Sequence, residues 1–278
     1  MPMNVAGLFR YPVKSCRGER LEEAVIEPWG IAGDRRWMIV DADGYAVTAR
    51  EHHRLVLVTP AIEPDAIRLA APGLPSLRVP VPLEGDFTER ATVTVWQSVL
   101  LATPAGGEAA RWLTTIAGEP VHLVYLDDPT RRPVNPEYGR VTDRVSFADG
   151  YPLLLTTEES LEQLNEWIAE GPLAVEGPLP MTRFRPSVVV SGAPAWAEDK
   201  WRKIMIGDVP FRVAKGSDRC VFTTIDPDTA AKGQEPLVTL AKRRRWDGKV
   251  WFGVNLIPDV TADGPGTVRA GDPVEVLD

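Results

Sequence analysis

Hydrophobic positions in the first hundred residues come in short runs, often alternating with polar ones and cut by turn residues, the pattern of half-buried strands. Residues 3–10 read as a strand, closed by Tyr11-Pro12-Val13 and the loop Lys14-Ser15-Cys16-Arg17-Gly18. Residues 24–27 form a second short strand. Trp37-Met38-Ile39-Val40 and Tyr45-Ala46-Val47-Thr48 flank Asp43-Gly44, which predicts a hairpin. Further strands are predicted at 55–59, 66–70, 76–81 and 91–96.

The period changes at Glu108, where Ala110, Trp112, Leu113 and Ile116 share a helix face and Gly118 stops it. A strand at 121–126 leads into a long irregular stretch, 127–151, that carries Arg131, Arg132, Arg140 and Arg144. Loops of this length in compact domains are functional or disordered, and the charge pattern fits a solvated basic loop equally well. Thr156-Thr157-Glu158-Glu159 reads as a capping box for a helix that turns Leu161, Leu164, Trp167 and Ile168 inward and ends at Gly171. Val188-Val189-Val190 is a buried-strand run, and 204–206 with 211–213 make a hairpin around Gly207-Asp208. A helix over 236–245 starts with proline and ends in Arg243-Arg244-Arg245, charges that suit the negative end of its dipole. Trp251, 254–257 and 274–276 supply the last strands. The fold class is mostly β with peripheral helices (α+β), barrel-like, with no internal repeat.

Composition narrows the chemistry. The chain has 278 residues, 44% hydrophobic and 25% charged, enough for a full core and two closely associated lobes. A formal net charge of −8 argues against nucleic acid or an anionic membrane as the main partner, while leaving room for local basic pockets that bind a small anion. The chain opens directly into a strand without a basic leader or long apolar stretch, so a cytoplasmic protein is expected. Two cysteines and three histidines are too few for an ordinary iron–sulfur cluster and supply a zinc site poorly.

Attention then falls on Cys220. Phe211 and Val213, then Val221, Phe222 and Ile225, read as strand ended by the turn Asp226-Pro227-Asp228-Thr229, which puts Cys220 where a loop enters a strand. A thiolate there can ligate a metal or attack an electrophile, favoured by Arg219 and Lys215 if they face it. The alternative is a small core hydrophobe, the commoner fate of free cysteine. A disulfide to Cys16 requires that the fold bring the two together.

Four stretches together resemble one family: Tyr11-Pro12-Val13-Lys14-Ser15-Cys16, Gly33-Asp34-Arg35-Arg36-Trp37, Arg183-Phe184-Arg185-Pro186 and Arg219-Cys220-Val221-Phe222-Thr223-Thr224-Ile225-Asp226-Pro227. With Glu235-Pro236-Leu237, Phe252-Gly253 and Gly271-Asp272-Pro273-Val274 also in order, the chain is similar along its length to MOSC-domain proteins with the N-terminal β-barrel extension. That group includes the mitochondrial amidoxime-reducing component and its bacterial relatives. The resemblance implies a MOSC N-terminal β-barrel-like domain at 1–120 and a MOSC domain at 121–278, the first strands being free to pack with the C-terminal barrel.

It also implies a molybdenum cofactor (Mo-molybdopterin), with Cys220 completing the metal's sulfur coordination as a soft thiolate donor. Lys14, Ser15, Arg35 and Arg185 match positions that contact the cofactor, whose phosphate calls for fixed cations. Asp149-Gly150-Tyr151 matches a further contact loop, and Ser217 and Asn255 match positions beside the site. Cys16 is expected to serve packing. Asp218 is a candidate for proton delivery, with a capping role as the alternative. Ser217, Asp218, Ser187, Val254 and Ala230 depart from the family's usual residues, which leaves metal binding intact and bears on substrate preference.

The implied function is reduction of N-hydroxylated compounds (amidoximes, hydroxylamines, N-hydroxylated bases) to their amino forms. Electrons would come from a separate ferredoxin, flavin reductase or haem protein, because this cysteine count cannot furnish a ferredoxin-type cluster. The alternative is a carrier that stores, matures or delivers the cofactor without turnover of its own, and conversion of benzamidoxime to benzamidine separates the two. A degenerate, metal-free fold is the third possibility.

Overall fold

The computed structural model describes residues 2–82 and 90–278. Strand Asn4–Arg10 buries both Val5 and Leu8, three positions apart, because a bulge between Val5 and Gly7 resets the alternation. That strand lies in a nine-stranded sheet. Its order is Val274–Val276, Lys203–Ile206, Val209–Asp218, Lys249–Pro258, Leu153–Thr157, Val188–Ser191, Asn4–Arg10 and Glu19–Leu21, with Arg245–Trp246 pairing onto Lys249–Pro258. The sheet closes on itself where Val5 N–H donates to Asp272 O (2.9 Å), Gly271 N–H to Val5 O (2.8 Å) and Val274 N–H to Met3 O (3.0 Å). Closure leaves only short edge strands such as Glu19–Leu21. Leu8, Leu155, Val190, Phe211 and Leu256 fill the interior.

Leu153–Thr157 and Val188–Ser191 run parallel, which requires a crossover, and helix Glu158–Ala169 provides it. Leu164 and Ile168 of that helix pack with Phe184, Leu240 and Phe252. A second body comes from the first half of the chain. One sheet takes the order Trp37–Val40, His122–Tyr125, Ser98–Pro104, Ala91–Val95, and another comprises Thr59–Glu63, Ala66–Ala71 and Leu74–Pro80. Helix Gly107–Ala117 buries Ala109, Leu113 and Ile116 against Leu55, Ile67 and Leu69. Each such large aliphatic side chain contributes about 1.5–3 kcal/mol by leaving water. None of the described helices is long and apolar enough to cross a membrane.

Several local expectations are corrected. Residues 55–59 are not a strand: the 3-10 helix His53–Leu57 precedes strand Thr59–Glu63, because Leu55, Val56 and Val58 are all buried and cannot alternate. The second arm of the 43–44 hairpin contributes only isolated bridges, as Asp41 Oδ1 accepts from the N–H groups of Asp43 and Tyr45 (both 2.9 Å) and holds a local turn. The helix after Thr156 is capped one residue later than expected. Thr157 Oγ1 accepts from Ser160 N–H (3.2 Å), while Glu159 is drawn away to accept from Gly192 N–H (2.6 Å), so the reciprocal box does not form. The C-terminal helix covers only Leu237–Arg243, and Arg245–Trp246 turns back as strand.

The most consequential correction concerns 221–225, which form the 3-10 turn Val221–Thr224 rather than a strand. The hydroxyls of Thr223 and Thr224 donate to the carbonyls of Cys220 (2.9 Å) and Val221 (2.8 Å), bonds that compete with a ladder. Strand Ser98–Pro104 escapes the pattern because Val99 and Leu101 point outward.

Candidate functional site

Strand Val209–Asp218 ends two residues before Cys220, so the cysteine marks a strand's exit instead of its entrance. Arg219 N–H donates to Val250 O (2.8 Å) on one side and the threonine-bonded 3-10 turn begins on the other, fixing the backbone at the thiol. Cys220 is free and half-buried on the wall of a cavity of about 730 Å³. That volume falls in the range of about 300–1,000 Å³ typical of small-molecule and cofactor sites. Cys16 is also free but fully buried among Val13, Leu55 and Val58, and burial pushes its thiol up to about 12. The two cysteines occupy opposite environments, and Cys16 serves packing.

Cys220, Asp218 and every residue matched to a cofactor contact or to a position beside the site line this one cavity. Lys14, Ser15 and Arg35 come from the first forty residues, Asp149, Gly150 and Tyr151 from the middle, and Arg185, Ser217, Asp218, Cys220 and Asn255 from the last hundred. Ser217 Oγ accepts from Arg219 Nη1 (2.8 Å), and Asn255 Nδ2 donates to Gly216 O (3.2 Å), so these two brace the strands behind the thiol. A Cβ built on Gly150 would meet nothing within 4 Å, leaving its backbone open to the cavity.

Charge here is opposite to that of the whole chain. Lys14, Arg35, Arg50 and Arg132, with Arg185, Lys215, Arg219 and Lys249, face the cavity against only two carboxylates among the described residues, Asp149 and Asp218. Asp149 accepts from Lys14 Nζ (2.5 Å), Arg50 Nη2 (3.0 Å) and Trp96 Nε1 (3.2 Å). Crowding by the cavity walls would raise its carboxyl, but Lys14 and Arg50 outweigh that and hold it far below the usual carboxylate range. Burial lowers Lys14 to about 8 in spite of Asp149. Burial and the neighbouring Arg35 lower Arg185 to about 10.

Arg35 and Arg185 are partly buried on Tyr11, their guanidinium carbons 4.4 and 4.2 Å from its ring centroid. Arg35 pairs with Asp34 (2.6 Å), while Arg185 donates to Cys16 O (2.6 Å). Two buried atoms nearby, Tyr11 Oη and Arg219 Nε, have no hydrogen-bond partner among the described residues. Leaving such a group unpaired costs about 1–3 kcal/mol.

Backbone strain gathers at the same place. Of the seven described non-glycine residues with positive φ, four line the cavity: Ser15 (69°), Arg35 (45°), Trp96 (54°) and Arg185 (56°). Each costs about 1–3 kcal/mol and persists because neighbours over-determine it. Arg35 N–H, for example, is held by Tyr11 O at 2.8 Å.

Three contributors escape sequence reasoning. Arg50 Nε donates to Cys220 Sγ at 3.3 Å, and its guanidinium lies 4.6 Å from the Trp96 ring centroid. Neither residue sits in a recognisable local pattern, and Arg50 lies 170 positions from the cysteine. Arg132 belongs to the long stretch whose charge pattern fits a solvated loop, yet it is buried and donates to the carbonyls of Ser146, Ala148 and Asp149. That pins the contact loop, so this part of 127–151 is ordered scaffold.

The closed barrel, the β-rich companion body and the cation-lined thiol cavity together define a MOSC protein. Residues 2–120 match the MOSC N-terminal beta barrel domain and residues 142–275 the MOSC domain. The chain belongs to the MOSC family. It is 33% identical to human mitochondrial amidoxime-reducing component 1 over 292 aligned positions, covering 98% of this chain and 82% of that one. Human mitochondrial amidoxime reducing component 2 is 31% identical, with 97% and 82% covered. A crystal structure of the YUAD protein from Bacillus subtilis aligns with 99% of this chain and 94% of its own at 14% identity and a TM-score of 0.44.

Proposed function

We propose that this chain binds a molybdenum pyranopterin cofactor through Cys220 and reduces N-hydroxylated compounds to their amino forms and water. The observation that carries the reading is the single half-buried thiol set in a cavity with a large surplus of cations. Among the described residues no three His, Cys, Asp or Glu side chains group to hold a metal ion. A metal at Cys220 would therefore take its other donors from an organic ligand, and an anionic one suits these walls. The names of the relatives, amidoxime-reducing components, support the substrate class.

When bound, the cofactor supplies two-electron redox chemistry next to a soft sulfur donor. The chain's residues do the rest. Cys220 offers its thiolate, with Arg50 hydrogen-bonded to the sulfur. Lys14, Ser15, Arg35 and Arg185, together with the Asp149-Gly150-Tyr151 loop, hold the cofactor and its anionic tail. Ser217 and Asn255 belong to the same binding wall. The reaction breaks one N–O bond, consumes two electrons and two protons, and releases water. Asp218, whose side chain is 46% exposed two residues before the thiol, is our candidate for passing protons from solvent to the cavity. Electrons come from a separate ferredoxin, flavin reductase or haem protein. We assign 1–120 to the N-terminal domain and 121–278 to the MOSC domain, with the barrel borrowing its first strands from the former.

The test is elemental analysis combined with turnover. Protein from a host that makes the cofactor should contain molybdenum and convert benzamidoxime to benzamidine with a chemical electron donor. Cys220→Ala should lose nearly all the metal. Equal molybdenum in the two proteins removes the ligand assignment, and metal retention without any turnover removes the reductase reading.

A further inference from the structure

The open end of the cavity carries charges that holding a cofactor does not use. Lys215 Nζ and Lys249 Nζ each lie 3.7 Å from a different oxygen of Asp218. Two ammonium groups thus share one carboxylate, and one positive charge is left over. The side chains of Lys249 and Asp218 are about half exposed, at 48% and 46%, whereas Lys215 is 19% exposed. This places the group at the mouth, not the floor.

Aromatic rings restrain both lysines. Lys215 Nζ is 5.0 Å from the Tyr138 ring centroid and 5.6 Å from that of Trp251, and Lys249 Nζ is 5.8 Å from Trp251. Tyr138 in turn meets Tyr151 edge-on at 6.5 Å, and Tyr151 lines the cavity. The mouth therefore combines an aromatic ring, Tyr151, with cations whose positions are limited.

The other charges of the cavity do not neutralise this group. Asp149 is shared between Lys14 and Arg50, and Arg35 is matched by Asp34. The hydrogen bonds of Arg132, Arg185 and Arg219 go to carbonyl or hydroxyl oxygens. One anionic tail seated among them still leaves the lysines at the entrance under-compensated. The net charge of −8 acts over the whole surface, but screening over about 8 Å lets the local surplus decide what enters.

We propose that this mouth selects, among N-hydroxylated substrates, those bearing an anionic substituent on a planar group, with Lys215 and Lys249 receiving the anion. This rests on the reductase reading for the reacting end of the substrate, while the preference itself is a property of the lysines. Lys215, Lys249 and Asp218 are specificity residues in this scheme.

The test compares benzamidoxime, 4-carboxybenzamidoxime and 4-(trimethylammonio)benzamidoxime on the cofactor-loaded protein. A chemical electron donor is used, and binding of each compound is also measured by calorimetry. One surplus charge a few ångströms from the carboxylate in a wet site gives an expected preference of about fivefold in KM and Kd over the neutral compound. The cationic compound should rank last. Lys215→Gln with Lys249→Gln should bring the ratios close to one, Lys215→Arg with Lys249→Arg should keep them, and Asp218→Asn should raise them. Salt at about 0.5 M should compress them.

Equal constants for the carboxylate and neutral compounds in the wild type overturn the proposal. So does a preference that survives the double glutamine variant, which would assign the anion to other cations of the cavity. If no compound is reduced but calorimetry shows a carboxylate preference that the glutamine pair abolishes, the mouth assignment stands and the reductase reading falls.

Discussion

Lys14 and Arg50 both bond to Asp149, yet they answer to different variables. Burial brings Lys14 to about 8, against an ordinary value of 10.5, so it carries its charge below about pH 8 and sheds it above. The protein should hold a phosphate-bearing cofactor up to about tenfold less tightly at pH 9 than at pH 7, and Lys14→Met should flatten that profile in equilibrium dialysis. The stability of the empty protein runs the other way. A buried ammonium disfavours the folded state, so between about pH 8 and 10.5 the unfolded chain binds more protons and folding gains as pH rises. Arg50 instead donates to the sulfur itself. Groups that orient a metal ligand in this way are worth about 10–100-fold in metal affinity, so Arg50→Met should lose molybdenum on dialysis about tenfold faster than wild type. Unchanged retention would reduce Arg50 to a partner of Asp149.

Elements, not isolated residues, explain two family motifs. Ala230 has φ 60° at the end of the turn that begins at Asp226, whose backbone oxygen accepts from Ala230 N–H at 2.9 Å. That conformation suits glycine, which has no Cβ to clash there. Ala230→Gly should stabilise the protein by about 0.5–1 kcal/mol. The melting temperature should rise by about 1–3 °C, read in a thermal scan. Gly253 is the reverse case: φ is 74° within strand Lys249–Pro258, and a Cβ would lie 2.6 Å from Leu155 O. Gly253→Ala should cost about 3 kcal/mol or more by denaturant titration, because the adjacent backbone cannot yield. The strain would fall on the strand that carries Asn255 and Lys249, so cofactor retention should decline with it.

The cavity belongs to the whole molecule. Its cations come from both ends of the chain, and the barrel that supports Cys220 is completed by strand Asn4–Arg10, with Glu23–Glu27 paired to Gly266–Arg269. A fragment of residues 121–278 lacks these strands and leaves the partner edge at Val188–Ser191 unpaired. It should be expressed without a cooperative thermal transition and without bound cofactor. A folded, metal-loaded fragment would show that the early strands decorate the barrel without being needed to close it.

Legible in the sequence were the β-rich composition, the helix Gly107–Ala117, the buried run at Val188–Ser191 and, through four short motifs, a set of side chains that share one cavity. These were legible because periodicity and turn chemistry are local, and because a family's motifs preserve positions whose partners are remote. It misread 221–225, since two threonine hydroxyls turned back on the chain where β-branched residues promised a strand. Long-range folding set the rest: Arg50 and Trp96 stand at the thiol, Arg132 is buried scaffold, and two lysines share one carboxylate at the mouth. The reason is physical: an arginine or lysine carries the same charge in solvent as in a cleft, and what it faces is set by contacts a hundred or more residues away.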